Sequence, residues 1–293
     1  MKYAWIKQQD AFPVTVMCRV LGVSKSGYYK SLLPQTSRRR QRTERIRCDV
    51  RKLYDESHRI YGSYKIAEKL QKDETMESAC RNTVARAMKD LGLKSCVSKT
   101  FRPTTTVSDS SKTPAPNVLN QNFEATAPNQ KWVTDITYLQ ITGGWVYLAV
   151  VLDLFSRKVV GWSLSDSLAT PLVSTALRRA VEARRPDTKQ LLHHSDRGCQ
   201  YTSDEYQRTL RTMNITCSMS RTGCCYDNAV MERFFWSLKH EWTNFESFAD
   251  INEAHQSVFD DIDTFYNQKR IHQTLGYKTP NQFEHDFEIQ LVA

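Results

Sequence analysis

The sequence predicts an α/β protein in which a mixed sheet flanked by helices follows a basic, all-helical N-terminal region. Up to about residue 100, apolar residues recur at helical spacing; from residue 131, strand-like segments come first as a meander and then alternate with helices. Charge divides near the same place, because residues 1–130 hold 24 Lys and Arg against 12 Asp and Glu, and the remainder holds 17 against 20. A region suited to a polyanion is therefore joined to a mildly acidic one.

Composition limits the class of protein. The chain has 293 residues, of which 40% are hydrophobic, so it can bury a sizeable core and its length suggests about two domains. It contains neither a long apolar run nor a secretory signal, and we expect a cytoplasmic protein. The eight cysteines are then expected to be reduced, and none forms a Cys-x-x-Cys pair, so structural zinc is not expected.

The stretch "FPVTVMCRVLGVSKSGYYKSLL", residues 12–33, predicts a helix-turn-helix. Val14 and Met17 fall at helical spacing, Gly22 supplies the turn, and Ser24 is a candidate N-cap for the second helix. The second helix would present basic and aromatic side chains to DNA, namely Lys25, Tyr28 and Lys30. Many helical hairpins share this pattern without contacting DNA, so the alternative is an ordinary hairpin.

A second basic helical segment follows. "SRRRQRTERIRCDVRK" flows into a helical pattern, and its candidate phosphate contacts are Arg38, Arg39 and Arg40. Another helical hairpin covers about 62–93; it carries Arg86 and stops at Gly92, as a helix-ending glycine should. Such a charge run is usually only a solvated helix face, but its position between two hairpins favours contact with phosphate.

The composition changes again at about residue 101. "FRPTTTVSDSSKTPAPNVLNQNFEATAP", residues 101–128, is rich in Pro, Ser and Thr and predicts an extended linker. Beyond it we predict strands at 131–140, 144–155, 158–165, 189–196 and 214–220, and helices at 170–185, 202–213 and around Glu232. A Gly143-Gly144 turn joins the first two strands. The order β-β-β-α-β-α-β-α predicts a mixed sheet covered on both faces.

Several acidic residues occupy unusual positions in this second region. Asp135 lies in the middle of a strand, Asp196 ends a strand directly before Arg197-Gly198, and Glu232 follows with 35 residues between them. Asp153, at the end of the second strand, has a weaker claim. Each acid alone could be structural. Together, three carboxylates at one corner of a sheet would repel one another unless a cation neutralised them, and oxygen ligands favour Mg²⁺ or Mn²⁺.

Two such ions would clamp the attacking and leaving oxygens of a phosphodiester during in-line displacement. Lys239 lies two helical turns after Glu232 on the same face, where it could hold a phosphate, although an isolated lysine is usually only solvated. Cys224 and Cys225 have no use in a hard-ion site. We interpret the segment from Gly223 to Asn228 as a mobile loop that brings Glu232 into place.

The segments "WVTDITYL", "HHSDRGCQYTS", "SMSRTGCCYDNAVMERFFWSLKHE" and "YNQKRIHQTLGYKTP" closely resemble the DDE transposases of bacterial insertion sequences, relatives of retroviral integrases. The resemblance is specifically to the larger family whose catalytic product is read from the second of two overlapping frames, and it extends from residue 12 through Pro280. It implies an RNase H-like catalytic fold with an acidic triad of Asp135, Asp196 and Glu232 and two divalent ions.

The resemblance also implies a reaction: nicking at the element's ends exposes 3′-hydroxyls, which then attack other phosphodiesters. Its partners would be terminal inverted repeats and target DNA, with a homo-oligomer assembled on DNA in the bacterial nucleoid. It assigns Arg270 and His272 as DNA contacts. No sustained heptad pattern is visible, so the leucine zipper of that family would come from association or fusion with the upstream-frame product.

These inferences predict five regions along the chain. They are a helix-turn-helix at 1–36, a basic second helical domain at 37–100, the linker at 101–128, an RNase H-like integrase core at 129–245 and a C-terminal helical extension at 246–293. A metal-dependent polynucleotidyl transferase is the function that the sequence favours. A DNA-binding regulator of the element that keeps the catalytic fold, and a nonspecific RNase H-like nuclease, are the alternatives.

Overall fold

The computed structural model describes residues 2–9, 11–32, 38–96 and 114–292, which fall into two compact units. The first unit contains Met1–Asp55 and Ile66–Leu93, and the second contains Glu56–Lys65 and Lys94–Ala293. Within the described ranges, no helix combines the length and apolar character that crossing a membrane requires. Residues 97–113, which include the first half of the predicted linker, lie outside the described residues.

The first unit is built from helices. They are α1 (Lys2–Lys7), α2 (Val14–Val20), α3 (Lys25–Leu32), α4 (Arg38–Glu56), α5 (Ser63–Lys72), which begins in the second unit, and α6 (Arg81–Asp90). The predicted helix-turn-helix is present as α2 and α3, with Gly22 at φ +62° in the turn and the Ser24 hydroxyl accepting the Gly27 N–H at 3.0 Å. The sequence did not predict α1, whose Ile6 packs against Met17 and Tyr28.

Helix α4 contains most of the basic run, and part of that charge is paired within the unit. Arg42 donates to Glu77 at 2.8 Å and Arg47 donates to Asp90 at 2.7 Å. The opposite face of the helix is apolar and buries Val50 completely. The basic segment is therefore a surface helix whose N-terminal arginines are exposed, rather than an isolated charge run.

The second unit is organised around a five-stranded sheet formed by residues within the described range 114–292. Its strands are β1 (Lys131–Ile141), β2 (Gly144–Asp153), β3 (Val159–Ser165), β4 (Leu192–Ser195) and β5 (Thr216–Met219). The order across the sheet is β3-β2-β1-β4-β5. Strands β1, β2 and β3 pair antiparallel, whereas β4 and β5 continue the sheet in parallel with β1. The predicted mixed sheet is confirmed.

Helices cover both faces of this sheet. One face packs against α7 (Thr170–Arg184), α8 (Cys199–Thr202) and α9 (Asp204–Thr212). The other packs against α10 (Ala229–Glu241) and α11 (Ile251–Phe259), and α11 continues into a π-helical segment, Asp260–Tyr266. The strands read as nearly continuous apolar runs because both of their faces are buried.

Two segments differ from the sequence prediction. Residues 114–128 are not an extended linker, since Leu119 is fully buried in the core and its N–H donates to the Ser218 hydroxyl. The C-terminal residues are helical as expected, but they pack onto the unit that contains the five-stranded sheet: Val258 belongs to its core, and Glu284 of α12 (Pro280–Val292) forms a buried ion pair with Arg184.

Candidate active site

Strand register explains how two of the acidic residues meet. In the parallel pair of β1 and β4, Val133 lies beside His194. Two residues beyond this pair lie Asp135, within β1, and Asp196, directly after the end of β4, so the chain brings both carboxylates to the same edge of the sheet. Adjacent strands are about 4.8 Å apart, and the two side chains are close enough for the charge of Asp196 to act on Asp135.

Glu232 comes from the helix that covers this edge. Helix α10 buries Met231, Phe234 and Leu238 against the sheet, and this leaves Glu232 exposed in its first turn. The negative charge of Glu232 also acts on Asp135, more weakly than that of Asp196. The fold thus brings the three sequence-predicted acids to one region, with Asp135 at its centre.

The electrostatics of this region favour a cation. Burial raises the pKa of Asp135 well above its usual value, and the Asp196 and Glu232 charges raise it further. Two groups lower it: the Ile136 N–H, which donates to the Asp135 carboxylate at 2.8 Å, and Lys239, whose effect is the smallest of the five. Among the described residues, no group of three or more His, Cys, Asp or Glu side chains is arranged to hold a metal ion. The donors are all carboxylate oxygens, which fit a hard divalent ion, and such an ion would remove the repulsion.

Lys239 lies against an aromatic ring beside these carboxylates. Its Nζ is 4.0 Å from the centre of the Tyr138 ring, and burial lowers its pKa to about 8, with Asp135 acting in the opposite direction. The ammonium group is partly exposed. It therefore provides a positive charge at the border of an acidic cluster, where a phosphate that approaches the carboxylates could bind.

The loop before Glu232 is anchored in its second half. Asp227 is fully buried and accepts hydrogen bonds from Arg221, from Asn117 at 2.9 Å and from Gln121 at 2.8 Å. The Asn228 amide donates to the Thr134 carbonyl, one residue before Asp135. The prediction of a mobile loop through Asn228 is wrong for this half, because buried, hydrogen-bonded groups fix the start of α10 relative to β1.

Comparison with known proteins agrees with this architecture. An Integrase core domain model matches residues 125–225 and a second one matches residues 213–280, while an HTH-like domain model matches residues 40–100. The chain is 39% identical over 287 residues to the transposase InsF for insertion sequence IS3A of Escherichia coli, covering 97% of this chain and 98% of the relative. The chain belongs to the family of IS3-type transposases.

A second relative and two solved structures also align with the chain. The transposase is 36% identical over 277 residues to an uncharacterized 31 kDa protein of insertion element IS600 from Shigella sonnei, which covers 94% of this chain and all of the relative. The HTLV-2 integrase catalytic core domain in complex with magnesium aligns with a TM-score of 0.44 at 20% identity over 55% of this chain and all of that one. A chain of a simian T-cell lymphotropic virus intasome aligns with a TM-score of 0.47 at 15% identity, over 80% of this chain and 74% of that one.

Membership in this family gives the activity class. The transposase has an integrase core domain and acts in DNA transposition and integration as a polynucleotidyl transferase. Which residues carry the reaction is a separate question, and the geometry bears on it.

Three of the predicted DNA contacts are not presented for binding. Tyr28 is 6% exposed because it packs in the core of the helix-turn-helix. Arg270 is also 6% exposed, and its guanidinium is held by Glu241 at 2.7 Å. Burial and nearby cations lower the pKa of His272 well below its usual value, and its ring packs edge-on against Tyr266. A neutral imidazole in this position cannot attract phosphate by charge.

The other predicted contacts outside the acidic site lie at the surface. The predicted basic side chains on α3 and α4 of the transposase are exposed, and Arg86 on α6 is exposed as well. Those on α3 and α4 are Lys25, Lys30, Arg38, Arg39 and Arg40. Their contact with DNA stays a prediction. For Arg270, the sequence pattern could not distinguish a basic residue that binds phosphate from one that is paired with an acid.

Asp153 has a structural role in the transposase. Its carboxylate is fully buried and accepts the Asn129 and Phe155 N–H groups and the Trp132 indole N–H. Cys224 donates to Asp227 at 3.4 Å and so belongs to the loop anchor. The sequence reasoning missed this anchor. Asp227, five residues before Glu232, was a visible signal for it, but nothing in the sequence marked Asn117 or Gln121.

Proposed function

We propose that this transposase nicks DNA at the ends of its element and joins the exposed strands to target DNA through Asp135, Asp196 and Glu232. The observation that supports this is the parallel register of β1 and β4, which carries two of the carboxylates to one level beneath the helix that bears the third. We infer that the three side chains together bind two divalent ions, Mg²⁺ or Mn²⁺.

Such ions, when bound, would polarise the scissile phosphate and activate the attacking oxygen. The protein's own contribution is placement. Asp135 is held within β1, which pairs with β2, and Asp196 directly follows β4, where the Gly198 N–H donates to its carboxylate at 2.9 Å. Glu232 is positioned by the Asp227 and Asn228 anchor. Lys239 would hold a phosphate oxygen at the edge of the site, where its positive charge offsets that of the DNA strand.

The first unit would deliver the DNA. Its exposed arginines and lysines on α3 and α4 suit phosphate binding, which is independent of sequence and sensitive to salt. Two element ends must be joined, so we infer a homo-oligomer on DNA, together with association or fusion with the upstream-frame product. Terminal inverted repeats and target DNA are the proposed substrates, and DNA binding would place the protein on the nucleoid.

The test is a joining assay on labelled oligonucleotides from the element's ends, with Mg²⁺ or Mn²⁺. Glu232→Gln should lose joining by at least 100-fold (an order-of-magnitude expectation for removing a transition-state contact) while still binding DNA. The matched control is Glu205→Gln, because Glu205 is likewise an exposed glutamate in the first turn of a helix, α9. It should join normally.

Equal joining by Glu232→Gln and wild type would sink the catalytic assignment. If wild type binds the ends but joins nothing under any divalent ion, the DNA-binding regulator becomes the better description. The rise in Tm that Mn²⁺ binding produces gives an independent measurement. This rise should be smaller in Asp135→Asn and Asp196→Asn and unchanged in Glu205→Gln.

A further inference from the structure

An aromatic pair, half-buried Tyr138 and exposed Trp145, lies at the hairpin between β1 and β2. Tyr138 and Trp145 meet edge-on, with ring centres 5.0 Å apart and planes at 80°. The register accounts for this contact, because Tyr138 pairs with Tyr147 and Trp145 is therefore its diagonal neighbour across the strands. Trp145 is 48% exposed, so a large ring face remains open to solvent.

This pair is linked to the active site by Lys239. The Lys239 Nζ lies 4.0 Å from the centre of the Tyr138 ring. Lys239 is also close enough to Asp135 for the charge of that carboxylate to act on it. Strand β4 pairs with β1 only through residues 131–133, so the edge of β1 from Thr134 onward is not covered by β4. Carboxylates, an ammonium group and two aromatic rings thus follow one another along this end of β1.

That sequence of groups matches the chemistry of an unpaired nucleotide. Carboxylates with divalent ions suit the reacting phosphodiester, an ammonium group suits a phosphate oxygen, and aromatic rings suit the face of a base. When a strand is unpaired so that its phosphodiester reaches the carboxylates, the base beside it loses its usual stacking partner, and a protein ring can replace that contact.

We propose that Tyr138 and Trp145 form a stacking site for an unpaired nucleobase next to the phosphate held by Lys239. The inference rests on the proposed function, since it places the base relative to the reacting strand. Stacking does not depend on base identity, so the site would select unpaired over paired DNA rather than one sequence. Trp145 supplies the open ring, while Tyr138 orients it and connects it to Lys239.

The test compares two DNA probes that need no knowledge of the terminal repeat. One is a duplex with a short single-stranded 3′ tail carrying 2-aminopurine, and the other is the same duplex with a blunt end. Binding by the full chain is measured with Ca²⁺ in place of Mg²⁺, so that binding is read without joining. Wild type should bind the tailed probe more tightly and quench the 2-aminopurine fluorescence.

Trp145→Ala should weaken binding of the tailed probe about tenfold, a typical loss for one stacked base, and should abolish the quenching. Its affinity for the blunt probe should differ from that of wild type by less than twofold. Trp145→Phe should retain both properties. Phe245→Ala is the matched control, because Phe245 is 52% exposed in the same unit and should affect neither probe.

Unchanged tailed-probe affinity and quenching in Trp145→Ala would overturn the proposal and leave the pair as a hairpin-stabilising contact. An equal loss for both probes would overturn it as well, since it would indicate general DNA contact. These outcomes are separable from failure of the proposed function: Glu232→Gln should keep the quenching, and joining by that variant would refute the catalytic triad without altering the binding comparison.

Discussion

Replacing Arg270 with methionine should destabilise the second unit rather than weaken DNA binding. The guanidinium makes hydrogen bonds to both carboxylate oxygens of Glu241, at 2.9 and 2.7 Å, and to the Ser237 hydroxyl at 3.1 Å. The unbranched, apolar methionine side chain resembles the stem of arginine in shape, so it fills much of the same space. The change therefore removes the charge and its hydrogen bonds while leaving the packing nearly intact.

The magnitude follows from the burial of the partner. The Glu241 side chain is 11% exposed and would remain as a buried carboxylate without its cation. Removing one member of a buried ion pair costs about 3–5 kcal/mol, which corresponds to a fall in Tm of roughly 10 °C for a unit of this size. Arg270→Met combined with Glu241→Leu should recover much of that loss, because no orphaned charge is left.

Urea unfolding gives the stability of both variants, and fluorescence anisotropy at several salt concentrations gives the DNA-binding slope. Arg270→Met should unfold at lower urea concentration, and its salt slope should match that of wild type under conditions where both are folded. If Arg270→Met is as stable as wild type and its slope falls by about one phosphate contact, then Arg270 reaches DNA and the structural assignment is refuted.

Three further predictions concern other parts of the chain. Burial raises the pKa of Asp261 to about 8, so the folded state keeps a proton that the unfolded state releases above about pH 4. The stability of the fold should therefore fall as the pH rises towards 8. Asp261→Asn should remove this fall, which is measured as the change in Tm from about pH 5 to 8. Asp227→Asn should lower single-turnover joining with little change in DNA affinity and destabilise the fold by about 1–3 kcal/mol, because an amide cannot accept all of its donors; normal joining would contradict the anchor. Arg38→Ser and Arg39→Ser should each reduce the salt slope of DNA binding by about one, and an unchanged slope in both would remove α4 from the DNA interface.

Local pattern was sufficient for much of this molecule. Strand alternation and apolar runs predicted the five strands and their order of appearance, and the glycine turn at residue 143 predicted the hairpin, where Gly143 adopts φ +85°. The placement of Asp135 inside a strand and of Asp196 at the end of another singled them out, because acidic residues are disfavoured there without a partner or a task. The strand and hairpin predictions succeeded because each depends on neighbours within a few residues, whereas the role of the two acids stays a prediction.

The tertiary structure decided what depends on distant partners. Asn117 and Gln121, in a segment that reads as linker, hold Asp227 from more than 100 residues away. The π-helical segment that buries Asp261 has no distinct sequence pattern. Whether a basic residue faces DNA or an acid was equally hidden: Arg270 and Arg38 look alike in sequence, but only Arg270 is enclosed with Glu241.

The sequence by itself therefore determined most of the elements, the positions of the three acids along them and, through its motifs, the family. Only the tertiary structure decided that β1 and β4 pair in the register that levels Asp135 with Asp196, that Asn228 fastens the Glu232 helix to Thr134, and that the ring of Tyr138 meets Lys239. The physical reason is that secondary structure arises from local backbone preference and periodicity, whereas a site arises from contacts between segments that the chain alone keeps far apart.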